Sequence, residues 1–183
     1  YCRMQGPATD YLKQIDNLLA ANHQSWFFGA GICANAGIPL MGALTDRVLD
    51  LAKSATGRTG EILEALRECL PADTNIEDLL SQLGDYQAIA QRSRESSVKI
   101  GANDLSLEEL SEVHHQTLRW IAETIRWGYR PPNGSEPASV GTRDNPIVVI
   151  DEVSRFVNAL FNRSQAGVAE RRNAVRIFTI NYD

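Results

Sequence analysis

One stretch constrains this chain more than any other: Trp26-Phe27-Phe28-Gly29-Ala30-Gly31-Ile32-Cys33-Ala34-Asn35-Ala36-Gly37-Ile38-Pro39. It opens on an apolar run too short for a helix, which suits a buried strand. The chain then turns on Gly29 and Gly31. Glycine admits positive φ and lets a ligand lie against the main chain with no Cβ in the way. A helix is expected to begin within residues 32–36. Strand, turn and helix start would aim backbone N–H groups and a positive dipole end at one place, where a phosphate or pyrophosphate fits. The dipole is worth only about 0.3–1 kcal/mol at an exposed site, so converging N–H groups would supply most of the binding.

Three readings of the turn compete. A Walker A loop is excluded, because no Lys-Ser or Lys-Thr follows the glycines. The dinucleotide fingerprint is met loosely, with Gly29, Gly31 and Ala34 at its small positions. Its acidic residue is expected about 20 residues on, at the end of a second strand. Asp46 and Asp50 stand near that distance but within a helical pattern. The plain alternative is a tight turn that binds nothing.

The remaining residues set the frame. A chain of 183 residues, 43% hydrophobic and 22% charged, is long enough for a domain with a real core. Its net charge of -5 offers no bulk attraction for nucleic acid or an anionic membrane. No apolar run approaches the roughly 18 residues of a membrane span, and no signal-peptide pattern opens the chain. The 3 cysteines, Cys2, Cys33 and Cys69, are widely spaced. That fits a reducing cytoplasm and argues against a disulfide framework or zinc site. No metal is expected.

Periodicity predicts mostly helices. Residues 7–23 keep Leu12, Ile15, Leu18 and Leu19 on one face, with Thr9 or Asp10 as N-cap. Leu44, Val48, Leu51 and Ala52 predict a helix over 42–55, and Ile62, Leu63, Leu66 and Leu70 another over 61–70, closed by Pro71. Asn75 caps a third, with Ile76, Leu79, Leu80 and Leu83 inward and Gly84 weakening its middle. Residues 91–103 read as a loop or frayed helix end. Ser106-Leu107-Glu108-Glu109 is a capping box that starts a long helix to Trp127. Its stripe is Leu107, Leu110, His114, Leu118, Ile121 and Ile125, with Val113, Trp120 and Trp127 beside it. Residues 129–144, rich in Pro, Gly and Ser, read as a flexible loop.

Asn145-Pro146 has the form of an N-cap and first helical residue, and Ile147, Ile150, Val153, Val157 and Leu160 keep helical spacing. The β-branched run from Ile147 to Ile150 argues for a strand instead; helix is the favoured reading. Residues 164–173 form a polar connection, and 175–180 form a strand carrying Asn181 and Asp183 at its carboxyl end. In open parallel sheets ligands bind there, although Asn and Asp are also ordinary turn residues.

Among single residues, Asp151-Glu152 after an apolar run imitates a nucleotidase strand, but the chain lacks the partner lysine. His114 and His115 are adjacent on a helix and point about 100° apart, so they make no metal clasp. Cys33 can face a ligand or simply fill space beside the turn.

Gly29-Ala30-Gly31 followed by Gly37-Ile38-Pro39 resembles the first motif of the sirtuin superfamily, and Thr179-Ile180-Asn181-Tyr182-Asp183 resembles its second. The Asn-Tyr-Asp form, with Asn75-Ile76-Glu77-Asp78-Leu79-Leu80 between, is similar to the bacterial sirtuin-like NAD hydrolases of antiphage defence. Leu40-Met41-Gly42 replace the Phe-Arg continuation of the protein deacylases.

The resemblance implies an α/β fold, a Rossmann-like parallel sheet, incomplete in this chain, with a large mostly helical insertion over about 42–128. It implies the amino-terminal part of one sirtuin-like NAD-binding domain, the catalytic histidine lying further on. Gly29, Ala30, Gly31, Cys33, Gly37, Ile38, Pro39 and Asp183 would bind NAD, and Asn181 would be catalytic.

An asparagine amide does not titrate, so Asn181 would orient a ribose hydroxyl or water rather than act as base. Nicotinamide leaves as a neutral pyridine, so the protein need only position the nucleophile and stabilise an oxocarbenium-like centre. The expected activity is hydrolysis of NAD to nicotinamide and ADP-ribose, in a bacterial cytoplasmic homo-oligomer acting with the remainder of a longer chain or a partner effector subunit. The alternatives are a non-catalytic NAD or ADP-ribose sensing or assembly module, and an NAD-dependent deacylase.

Overall fold

The computed structural model describes residues 11, 13, 14, 17, 25–151, 153–158 and 176–179. They belong to two compact units, one of Tyr1–Ile32 with Ile150–Asp183 and one of Cys33–Val149. The result is a mixed α/β protein with small sheets, and no helix among the described residues is long and apolar enough to cross a membrane.

The first unit contains a two-stranded parallel sheet. β1, Ser25–Phe28, pairs with a strand near the end of the chain, Arg176–Thr179, in the register Ser25↔Arg176 to Phe28↔Thr179. Parallel strands cannot be joined by a tight turn, and here the whole second unit intervenes in sequence. Strand alternation turns Trp26 and Phe28 to one face, where both rings meet the edge of Phe156 at centroid distances of 5.4 and 5.9 Å. Phe27 and Phe178, paired on the opposite face, are 68% and 53% exposed. The described residues of the expected first helix, 11, 13, 14 and 17, are helical; its capping residues and apolar stripe lie outside the described residues, as does the connection over 164–173.

The second unit holds the core. Its helices are α1, Met41–Ser54; α2, Thr59–Glu68; α3, Ile76–Arg92; and α4, Leu107–Trp127. Leu44, Val48, Ile62, Leu66, Leu79 and Leu83 are almost fully buried in one cluster with Leu110 and Val113 of α4. Asn75 caps α3 through its side-chain oxygen, which accepts from Glu77 N and Asp78 N, while Asp78 accepts from Asn75 N at 3.0 Å. The same reciprocal box opens α4. Ser106 N donates to Glu109 at 2.9 Å, and Glu109 N donates to Ser106 Oγ at 3.2 Å.

Three expectations are corrected, and one segment gains detail. The stretch 91–103 is not only a helix end and loop: after the helix ends at Arg92, Ser97–Ile100 (β2) and Asn103–Ser106 (β3) pair as an antiparallel hairpin. Gly101, at φ 58°, takes the first position of its two-residue turn, the place for glycine in a type II′ connection. Burying Ile100 and Leu105 against the helices stabilises a strand pair whose polar residues hid it.

The stretch 129–144 carries a short antiparallel ladder, Tyr129–Arg130 (β4) with Ser139–Val140 (β5), and a further bridge Asn133↔Glu136; the carboxyl-terminal strand is therefore β6. The helix expected from Pro146 starts only at residue 151. The backbone before it is captured by other segments: Ile147 N donates to Trp127 O at 2.9 Å and Val149 N to Ala36 O at 2.8 Å. On α4 the buried line is Leu110, Val113, Thr117, Trp120 and Thr124, leaving Leu118 41% exposed. Two threonines can lie in it because their hydroxyls donate to Val113 O and Trp120 O, one turn back.

Candidate functional site

The register of β1 and β6 decides what the first unit can present. Phe28 and Thr179 are the last paired residues of two neighbouring parallel strands. Gly29 follows Phe28 directly, and Asn181 comes two residues after Thr179 in sequence. The two strands therefore end together at the carboxyl edge of one parallel pair, the edge where open α/β sheets bind ligands. Asn181 and Asp183 themselves lie outside the described residues.

The turn after β1 departs from expectation in two ways. Ala30–Cys33 is a single 3₁₀ turn, with Ile32 N donating to Gly29 O at 3.1 Å, and the α-helix that follows it starts only at Met41. The reason lies in Gly37-Ile38-Pro39: Gly37 has φ 87°, and proline drives the residue before it out of the helical region. A four-residue 3₁₀ turn lacks the long row of aligned peptides from which a macrodipole grows, so an anion here would depend on backbone N–H groups alone. Gly29 and Gly31 are also not among the positive-φ glycines. A Cβ built on either would meet nothing within 4 Å, so neither backbone conformation nor packing requires glycine at these two positions.

Cys33, Gly37, Ile38 and Pro39 belong to the second unit, where their surroundings are structural. Cys33 is 6% exposed, and its carbonyl accepts from Ala36 N and Ile38 N at 3.0 and 3.3 Å. Gly37 O accepts from Tyr129 N at 3.0 Å, and a Cβ on Gly37 would stand 2.8 Å from Ile147 O. A Cβ on Gly128, at φ 89°, would meet the side chains of Ile147 and Val148 and stand 3.0 Å from Gly37 O. These glycines allow three backbone segments to approach closely, a packing requirement that stands whether or not a ligand binds.

His114 is half-buried beside His115, with ring centroids 6.1 Å apart. Desolvation first, and the neighbouring imidazole second, hold His114 below its ordinary pKa. Asp46 and Asp50, weighed for the dinucleotide acid, are exposed on α1 rather than at a strand end. Among the described residues no three His, Cys, Asp or Glu side chains are grouped to hold a metal ion.

Two cavities of the second unit stand out among the described residues. One, of about 480 Å³, is lined by acidic and amide side chains including Asp73, Asn75, Asp78 and Asp85. The other, of about 340 Å³, lies between α1, the end of α4 and the segment after β5, and is lined by Arg47, Trp127, Thr142 and Arg143. Sequence reasoning passed over the second because its residues are nearly 100 positions apart, from Arg47 to Arg143. Comparison with protein-family models, curated proteins and solved structures finds no match to this chain.

Proposed function

We propose that this chain is the nucleotide-binding part of a sirtuin-like NAD hydrolase that cleaves the nicotinamide–ribose bond, giving nicotinamide and ADP-ribose, as an effector of antiphage defence. The observation that supports the reading is the parallel pairing of β1 with β6, whose last pair, Phe28 and Thr179, stands next to Gly29 and two residues before Asn181 in sequence. Gly29, Ala30 and Gly31 would bring bare backbone to the dinucleotide. Asn181 would hold the ribose hydroxyl or the attacking water, and Asp183 would order that site. Bond cleavage then needs little acid catalysis, because the departing pyridine is neutral and the developing positive charge sits on the ribose. Action as a homo-oligomer with further effector segments belongs to the same proposal.

The test is to incubate the full-length natural protein with NAD and measure free nicotinamide, with and without an acetylated peptide. Release without peptide supports the proposal. Release only with peptide points to deacylation, and binding without release points to a sensing module. Asn181→Ala should abolish turnover with the thermal unfolding midpoint retained; full activity in that variant would sink the assignment.

A further inference from the structure

We infer that the cavity at the junction of α1, α4 and the segment after β5 is a second ligand site, for a nucleoside monophosphate or similarly small phosphate ester with a planar ring. The inference does not rest on the NAD reading. It concerns residues of the second unit alone.

Charge is the first argument. The chain carries a net -5, yet this cavity places Arg47 and Arg143 on its wall with Glu123 as its one acidic lining residue. Glu123 already faces Arg119 at 3.4 Å. Among the described residues neither Arg47 nor Arg143 has a carboxylate within ion-pair distance. A guanidinium presents a planar fork of donors that matches phosphate oxygens.

Arg47 is also held in place. It is half-buried, with its guanidinium over the Tyr129 ring, 5.6 Å from the centroid, so less freedom is lost when an anion arrives. Thr142 adds a hydroxyl on the same wall; its oxygen accepts from Asn145 N at 3.1 Å, which leaves its hydrogen to donate.

Shape is the second argument. Trp127 lines the cavity and is half-buried, with the Arg126 guanidinium over its ring at 4.8 Å from the centroid; the other indole face can stack on a planar ring. Gly128 and Gly141 keep the backbone beside it free of Cβ atoms. At about 340 Å³ the cavity is at the small end of ligand sites. That suits one nucleoside phosphate and is tight for a dinucleotide.

The experiment is titration calorimetry of the full-length protein with adenosine 5′-monophosphate, inorganic phosphate and adenosine, at low and at physiological salt. Nucleotide binding tighter than both fragments, weakened by salt, is expected. Arg143→Gln, at an exposed position that threatens no packing, and Arg47→Gln should each raise the dissociation constant about ten-fold or more, the loss of a charge-assisted contact. Trp127→Leu should weaken the nucleotide while leaving phosphate unchanged. Phosphate binding as tightly as the nucleotide would reduce the site to a bare anion pocket and overturn the assignment. So would absence of binding, or binding indifferent to both arginine substitutions.

Discussion

At the residue scale, two polar side chains show how a single atom can hold separate parts of the second unit in place. Thr45 is 6% exposed; its hydroxyl donates to Met41 O at 2.8 Å and accepts from Ile76 N at 3.0 Å. It thereby satisfies a backbone group at the start of α3 that Asn75 does not reach. Thr45→Val keeps the volume but strands that N–H in the core, which should lower unfolding free energy by about 1–3 kcal/mol in a denaturant titration. Glu109 joins the α4 capping box to Arg58 at the start of α2. Hydrogen bonding to the Ser106 backbone, foremost, holds its carboxyl below the ordinary value of 4.5. The folded form thus favours the charged carboxylate. Its contribution is complete above the ordinary value and is lost as pH falls through the lowered one. Glu109→Gln, which keeps the cap but cannot titrate, should flatten that part of an acid-unfolding curve.

At the scale of elements, sequence signals worked where they were local. Both capping residues, Asn75 and Ser106, open the helices expected of them, because the bonds they make lie within three residues. The hairpin of β2 and β3 was illegible, since only contact with the helices makes Ile100 and Leu105 inward residues. Helical glycines make the same distinction measurable. A Cβ on Gly84 would meet nothing within 4 Å, so Gly84→Ala should stabilise α3 by up to about 1 kcal/mol through propensity. Gly60 has the same propensity to gain, but its Cβ would stand 2.5 Å from Ala52 O of α1. Gly60→Ala should therefore lower the melting temperature while Gly84→Ala raises it. A rise of similar size in both variants would refute the packing of α1 on α2.

At the scale of the whole molecule, the buried hydrophobic cluster falls inside Cys33–Val149, and the described residues of the other unit include none that is fully buried. A polypeptide of Cys33–Val149 alone should thus unfold in one cooperative transition, followed by far-UV circular dichroism in urea. A non-cooperative slope would show that its core depends on the rest of the chain. The candidate NAD site was legible to the extent that its motifs are contiguous. Trp26 to Phe28 read as a strand and Gly29 to Gly31 as a turn from residues that are neighbours in the chain, whereas the helix start expected within 32–36 is only a 3₁₀ turn.

The amino-acid order alone determined the helix starts and the apolar faces of α1, α2 and α3, all set by interactions within one or two turns. Only the tertiary structure decided that β1 lies parallel to β6, that the run from Ile147 stays extended, and that Arg47 and Arg143 share a cavity. Pairing partners and cavity walls come from distant stretches of chain. Which of them meet follows from how the buried surfaces fit, a quantity that no local pattern carries.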